Sequence, residues 1–87
     1  MRIALVEDDV SLAQNYSDIF ARADWHVSHY LSRASALAGI EESPPDLAII
    51  DVGLGAEDEG GFQLCRQLRA TPATERLPIV LLTARGE

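Results

Sequence analysis

Lysine is absent from these 87 residues, and cysteine occurs once, as Cys65. Without a lysine there is no P-loop, whose lysine reaches the β- and γ-phosphates of a nucleotide. A lone cysteine closes no disulfide, so the chain lacks the staples of a secreted mini-protein and fits a reducing, cytoplasmic compartment. Long hydrophobic runs are missing too. Only four residues, Ile3 to Val6, separate Arg2 from Glu7, too few for a signal-peptide core, and no run approaches the roughly 20 apolar residues of a membrane span. Positive charge is scarce: seven arginines face 14 acids, for a formal charge of −7. That balance argues against sequence-independent binding to nucleic-acid phosphates or anionic lipid, and for a cation or a partner with a basic face.

What the chain does have is apolar content, 47% of its residues. With 24% charged residues, that describes a globular fold and not a disordered tail. The length suits one modest domain, burying roughly 60–65% of its unfolded surface. Three apolar tetrapeptides recur, Ile3-Ala4-Leu5-Val6, Leu47-Ala48-Ile49-Ile50 and Ile79-Val80-Leu81-Leu82. Such unalternating runs are expected for strands of a parallel sheet covered on both faces. A weaker strand is expected over His26 to Tyr30, with Val27 and His29 on one face and Ser28 and Tyr30 on the other.

Between the strands the period becomes helical. Leu12, Tyr16, Ile19, Phe20 and Ala23 give one apolar face across Val10 to Ala23, started by Asp9 or Ser11, with Ser11 and Gln14 at capping-box spacing. Ala34, Leu37 and Ala38 predict a second helix ending near Ser43, before Pro44-Pro45. Phe62, Leu64, Cys65, Leu68 and Arg69 predict a third, from about Gly61 to Ala70. The alternation β-α-β-α-β-α-β implies right-handed crossovers and a doubly wound parallel sheet, an α/β fold.

In open parallel sheets, ligands bind beyond the carboxyl ends of the strands. After the first run come Glu7, Asp8 and Asp9, after the second Asp51, and after the third Thr83 and Ala84. If the first and second runs lie side by side, Glu7, Asp8 and Asp51 converge. Carboxylates that close repel, so one is protonated or a cation sits among them. An all-oxygen site with few protein ligands suits Mg²⁺ better than Ca²⁺. Other phosphate sites fit poorly: Gly53-Leu54-Gly55 opens like a dinucleotide fingerprint, but Asp58 stands at its third glycine. A haloacid-dehalogenase-type phosphatase would need a second acid where Gly53 is. His26 and His29 are expected to be ordinary, partly buried residues away from the acids.

Ile3 to Asp9, Pro45 to Asp51 and Leu77 to Glu87 together resemble the receiver domain of two-component response regulators, the last segment being most like the OmpR/PhoB branch. The resemblance spans the whole chain. It implies a flavodoxin-like, CheY-like sheet of strand order 2-1-3-4, with residues 1–87 the N-terminal part of a single receiver domain and the fifth strand and flanking helices missing. It implies that Asp51 is the phosphoacceptor, taking its phosphoryl group from a sensor histidine kinase. Asp8 and Asp51 then bind Mg²⁺ directly, Glu7 holds it through water, and Gly53 offers its backbone carbonyl. Thr83 is the switch hydroxyl and Ala84 the small residue beside it. Transcription is controlled through a DNA-binding output domain outside this chain, and the chain is a phosphorylation substrate, not an enzyme in the ordinary sense. Two departures stand out: Gly55 replaces the usual proline, and the loop before Gly61-Phe62 is two residues longer and carries Glu57, Asp58 and Glu59. An uncovered edge at Ile79 to Leu82 implies homodimers or segment-exchanged oligomers. Alternatives are a receiver-like interaction module that is never phosphorylated, and a small Mg²⁺-dependent phosphatase.

Overall fold

A computed structural model describes residues 1–54 and 60–82 of the chain. Strands and helices alternate as β1 (Arg2–Val6), α1 (Val10–Arg22), β2 (His26–Tyr30), α2 (Arg33–Glu42), β3 (Leu47–Asp51), α3 (Gly60–Arg69) and β4 (Ile79–Leu82). The four strands form one sheet in the order β2-β1-β3-β4, every pair parallel. This is the doubly wound arrangement expected from the alternation of elements.

Residues of period two divide the core between the faces. Ile3, Leu5 and Ile49 turn to one side, where Ala13 of α1 closes over them with Tyr16, Phe20 and Val27 around it. Ala4, Val6, Ala48 and Ile50 turn to the other, against Ala36 and Ile40 of α2 and Leu64 and Leu68 of α3. Burial on both faces is why β1 and β3 are continuous apolar runs. β4 has the same composition but a different setting: it pairs with β3 alone among the described residues, and Val80 stays 44% exposed. Val80 is level with Ile49, on the α1 side of the sheet, whereas α1 packs on β1 and β2.

Helix ends follow local rules. Asp9 is the N-cap of α1, its carboxylate accepting from the Leu12 N–H at 3.0 Å, while Ser11 lies inside the helix. The capping box of Ser11 and Gln14 therefore does not form. At the other end Asp24 takes a left-handed φ of 67°. The Asp24 N–H donates to the Ala21 carbonyl and the Trp25 N–H to that of Phe20, the paired bonds of a Schellman motif. Its usual apolar contact is present as the stacked rings of Phe20 and Trp25, 5.6 Å apart.

Three helix faces differ from the sequence reading. In α1, Ile19 is 57% exposed and Ala23 is exposed, so the buried stripe runs through Leu12, Ala13, Tyr16 and Phe20. In α2, Ala36 and Ile40 are buried with Leu37 beside them, and Ala34 and Ala38 face solvent. Small apolar residues on several sides of that helix give its period little direction, and Ile40, with Leu37 beside it, packs into the cluster of Ala4, Val6, Ala48 and Ile50. In α3, Leu64 and Leu68 form the buried ridge and Phe62 is exposed.

Candidate functional site

The site is built by register. Val6 pairs with Ile50, so one residue further on Glu7 comes level with Asp51 across two strands about 4.8 Å apart. Glu7 continues the face of Ile3 and Leu5, and Asp51 that of Ile49, so both carboxylates emerge on the α1 side of the sheet edge. Asp8 follows in the turn into α1. Carboxylate oxygens of Glu7, Asp8 and Asp51 all lie within 4.8 Å of one another. Glu7 and Asp51 are buried, at 4% and 9% exposure, and Asp8 is exposed.

Burial pushes the Glu7 carboxyl up from 4.5 to about 7; the Asp9 N–H, 3.2 Å from Glu7 Oε2, opposes the rise, and the neighbouring Asp51 and Asp8 carboxylates add to it. Two unit charges 4.8 Å apart repel by about 3–4 kcal/mol at an effective dielectric constant near 20. A divalent cation reverses the sign of that energy. The donor set is entirely oxygen, which suits a hard cation. Oxygens on opposite sides of an octahedral Mg²⁺ stand about 4.2 Å apart, so a spread of 4.8 Å needs a small closing of the side chains or one ligand acting through water. The residues present therefore fit Mg²⁺.

Gly53, the expected carbonyl ligand, is exposed two residues beyond Asp51, its N–H 3.4 Å from Asp51 Oδ1. The segment between them is held from below by α3. The Gly61 N–H donates to the Val52 carbonyl at 3.0 Å, and a Cβ on Gly61 would run into the Asp51 carbonyl oxygen and the Val52 Cα. Thr83 and Ala84 lie outside the described residues, as do Gly55 and the acids Glu57, Asp58 and Glu59. The described chain ends at Leu82, whose register partner is Asp51.

One expectation fails. His26 and His29 are exposed, not partly buried, and His29 is not remote from the acids: its Nε2 lies 2.8 Å from the Glu7 carbonyl oxygen. The sequence signal for this was weak. It needed the pairing of Leu5 with His29, which places a long polar side chain two residues behind Glu7 on the same face.

Comparison with known proteins agrees with this architecture. The family described as "Response regulator receiver domain" matches residues 3–87. The phosphate regulon transcriptional regulatory protein PhoB of Rhizobium meliloti is 41% identical over 86 residues, which cover 99% of this chain and 37% of that protein. Among solved structures, a Chloroflexus aurantiacus protein described as a response regulator superposes with a TM-score of 0.90 at 34% identity, over 99% of this chain and 69% of the other. The chemotaxis protein CheY4 of Vibrio cholerae, at 24% identity, shares the fold with a TM-score of 0.88, over 99% of this chain and 70% of its own. The chain spans about a third of the length of the curated relatives it matches, 37% and 35% for the first two. Among the described residues no helix is long and apolar enough to cross a membrane. With its sheet order, its acids at the ends of β1 and β3 and a family match over residues 3–87, the chain belongs to the response regulator receiver domain family.

Proposed function

We propose that the chain is the phosphoacceptor module of a two-component system, receiving a phosphoryl group on Asp51 from a phosphohistidine of a sensor kinase. The observation that carries this reading is the convergence of Glu7, Asp8 and Asp51, with oxygens within 4.8 Å, at the carboxyl edge of the sheet. An Asp51 carboxylate oxygen attacks the phosphorus, a P–O bond forms, and the P–N bond to the histidine breaks with its electron pair returning to the ring. Asp8 and Asp51 would hold Mg²⁺ directly, Glu7 through water and Gly53 through its backbone carbonyl, and the bound ion would supply positive charge to offset that on the transferring oxygens. The pairing of β3 with β1 and the bond from the Gly61 N–H to the Val52 carbonyl support this reading by fixing the backbone on which Asp51 sits. In this reading Thr83, which precedes the small residue Ala84 in the sequence, is the hydroxyl that senses the added dianion.

The output in this reading is a DNA-binding transcription domain outside the chain, and the setting is cytoplasmic. Support comes from the PhoB relative, named as a transcriptional regulator. The receiver is a substrate that dephosphorylates itself slowly, and its activity is regulatory.

The test is incubation of the full-length protein with acetyl phosphate and Mg²⁺, read by intact mass. We expect the gain of one phosphoryl group, absent when EDTA is present throughout the incubation and in Asp51→Asn. No gain, or a gain that survives Asp51→Asn, refutes the acceptor assignment.

A further inference from the structure

We propose that His29 is a positioning residue of the metal site, holding in place the peptide group that joins Glu7 to Asp8. The inference rests on the receiver reading above. Backbone pairing ties β1 to both neighbours as far as Val6, and the Glu7 N–H adds one more bond, 3.1 Å to the Tyr30 carbonyl. There the ladder to β2 ends. The Glu7 carbonyl is the next acceptor along, and a side chain meets it: His29 Nε2 at 2.8 Å.

The geometry follows from strand pairing. His29 is level with Leu5, and side chains of period two place Leu5, Glu7 and His29 on the same side of the sheet. An imidazole is long enough to reach forward two residues along the adjacent strand. Since a carbonyl only accepts, Nε2 carries the proton, and both the neutral Nε2–H tautomer and the imidazolium can donate it. The contact therefore does not depend on the charge of the ring.

The peptide plane so held contains the Glu7 carbonyl and the Asp8 N–H. Its orientation sets the angle at which Asp8 leaves the strand relative to the buried Glu7 carboxylate. Beyond Asp8 the turn is fixed by Asp9, whose N–H donates to Glu7 Oε2 at 3.2 Å and whose carboxylate caps α1. His29 fixes it on the near side. Asp8 is thus presented from a turn anchored at both ends, and its carboxylate reaches the cation with little backbone freedom to lose on binding.

A single neutral hydrogen bond that orders a ligand corresponds to an affinity change of about three- to tenfold. The experiment compares the full-length wild type with His29→Gln, whose amide nitrogen can stand where Nε2 stands, and His29→Leu, which keeps bulk without a donor. Mg²⁺ affinity is measured by titration calorimetry at pH 8, and urea unfolding is measured without metal. We expect His29→Leu to bind Mg²⁺ about three- to tenfold more weakly and His29→Gln to bind within about twofold of the wild type. The two variants should have matching urea midpoints. Equal affinity in all three proteins, or an equal loss in both variants, overturns the proposal and leaves the receiver reading standing. A wild type that does not bind Mg²⁺ overturns both.

Discussion

Replacing Glu7 by Gln should stabilise the metal-free protein at pH 8 and remove part of its response to Mg²⁺. In the folded protein burial raises the Glu7 carboxyl from 4.5 to about 7. Between those values the unfolded chain has released the proton while the folded chain keeps it, so the group's contribution to stability falls as pH rises and is fully lost above about pH 7. At about 1.36 kcal/mol per unit, the difference of 2.5 units corresponds to at most about 3 kcal/mol at pH 8, and less than about 1 kcal/mol at pH 5. Glutamine removes the titration yet keeps an oxygen for the Asp9 N–H, now 3.2 Å from Glu7 Oε2. Urea unfolding at pH 5 and pH 8, with EDTA, should show Glu7→Gln more stable than the wild type by about 1–3 kcal/mol at pH 8 and nearly equal to it at pH 5. Mg²⁺ acts in the opposite direction, stabilising the wild type by about 2.7 kcal/mol at a hundred times its dissociation constant and the variant by less. A variant no more stable than the wild type at pH 8, or a gap that does not close on acidification, refutes the reasoning.

Two further outcomes test the elements around the site. Asp24 holds a φ of 67° and places a negative charge at the carboxyl end of α1, both unfavourable for a non-glycine acid there. Asp24→Gly should raise stability by about 0.5–1 kcal/mol, seen as several degrees in Tm, and an unchanged or lower Tm would show that the left-handed cap costs nothing. Gly61→Ala drives a Cβ into the Asp51 carbonyl and the Val52 Cα, backbone atoms that cannot rotate aside. It should cost about 1–3 kcal/mol in urea unfolding and weaken Mg²⁺ binding, because the displaced segment carries Asp51; full stability and affinity would show that α3 yields freely.

The central strands were legible because burial on both faces demands unbroken apolar residues, and few other settings do. β4 matched the expected residues, Ile79 to Leu82, yet its exposure at Val80 was not readable, since composition does not say how far a helix extends over a sheet. The face of α2 is not legible for a similar reason: with alanine on several sides, the period carries little information, and the packing of Ile40 into the core decides. Asp9 and Ser11 were equal candidates for the cap until backbone geometry separated them. Among the site residues, Glu7, Asp8 and Asp51 could be found because a polar residue directly after a buried strand has only the strand's end to occupy. His29 could not, because its relation to Glu7 depends on the register of β2 on β1, which apolar pattern does not determine for a mixed strand.

Register also explains why the acids crowd together. Once Val6 and Ile50 are paired in the core, Glu7 and Asp51 have no freedom to separate, since moving either strand by one residue would turn its whole apolar set to the wrong face. The repulsion among the carboxylates is therefore borne by the hydrophobic core, and relief must come from protonation at Glu7 or from a cation. An acidic cluster on mobile loops would spread apart instead and bind a cation weakly. Here the turn is held by Tyr30 and His29 on one side and Asp9 on the other, and the Asp51 segment by Gly61, so the backbone that carries the three carboxylates stays together whether or not charge is balanced. Charge at such a site is balanced by protonation or by a cation, since the paired strands that carry Glu7 and Asp51 cannot move apart.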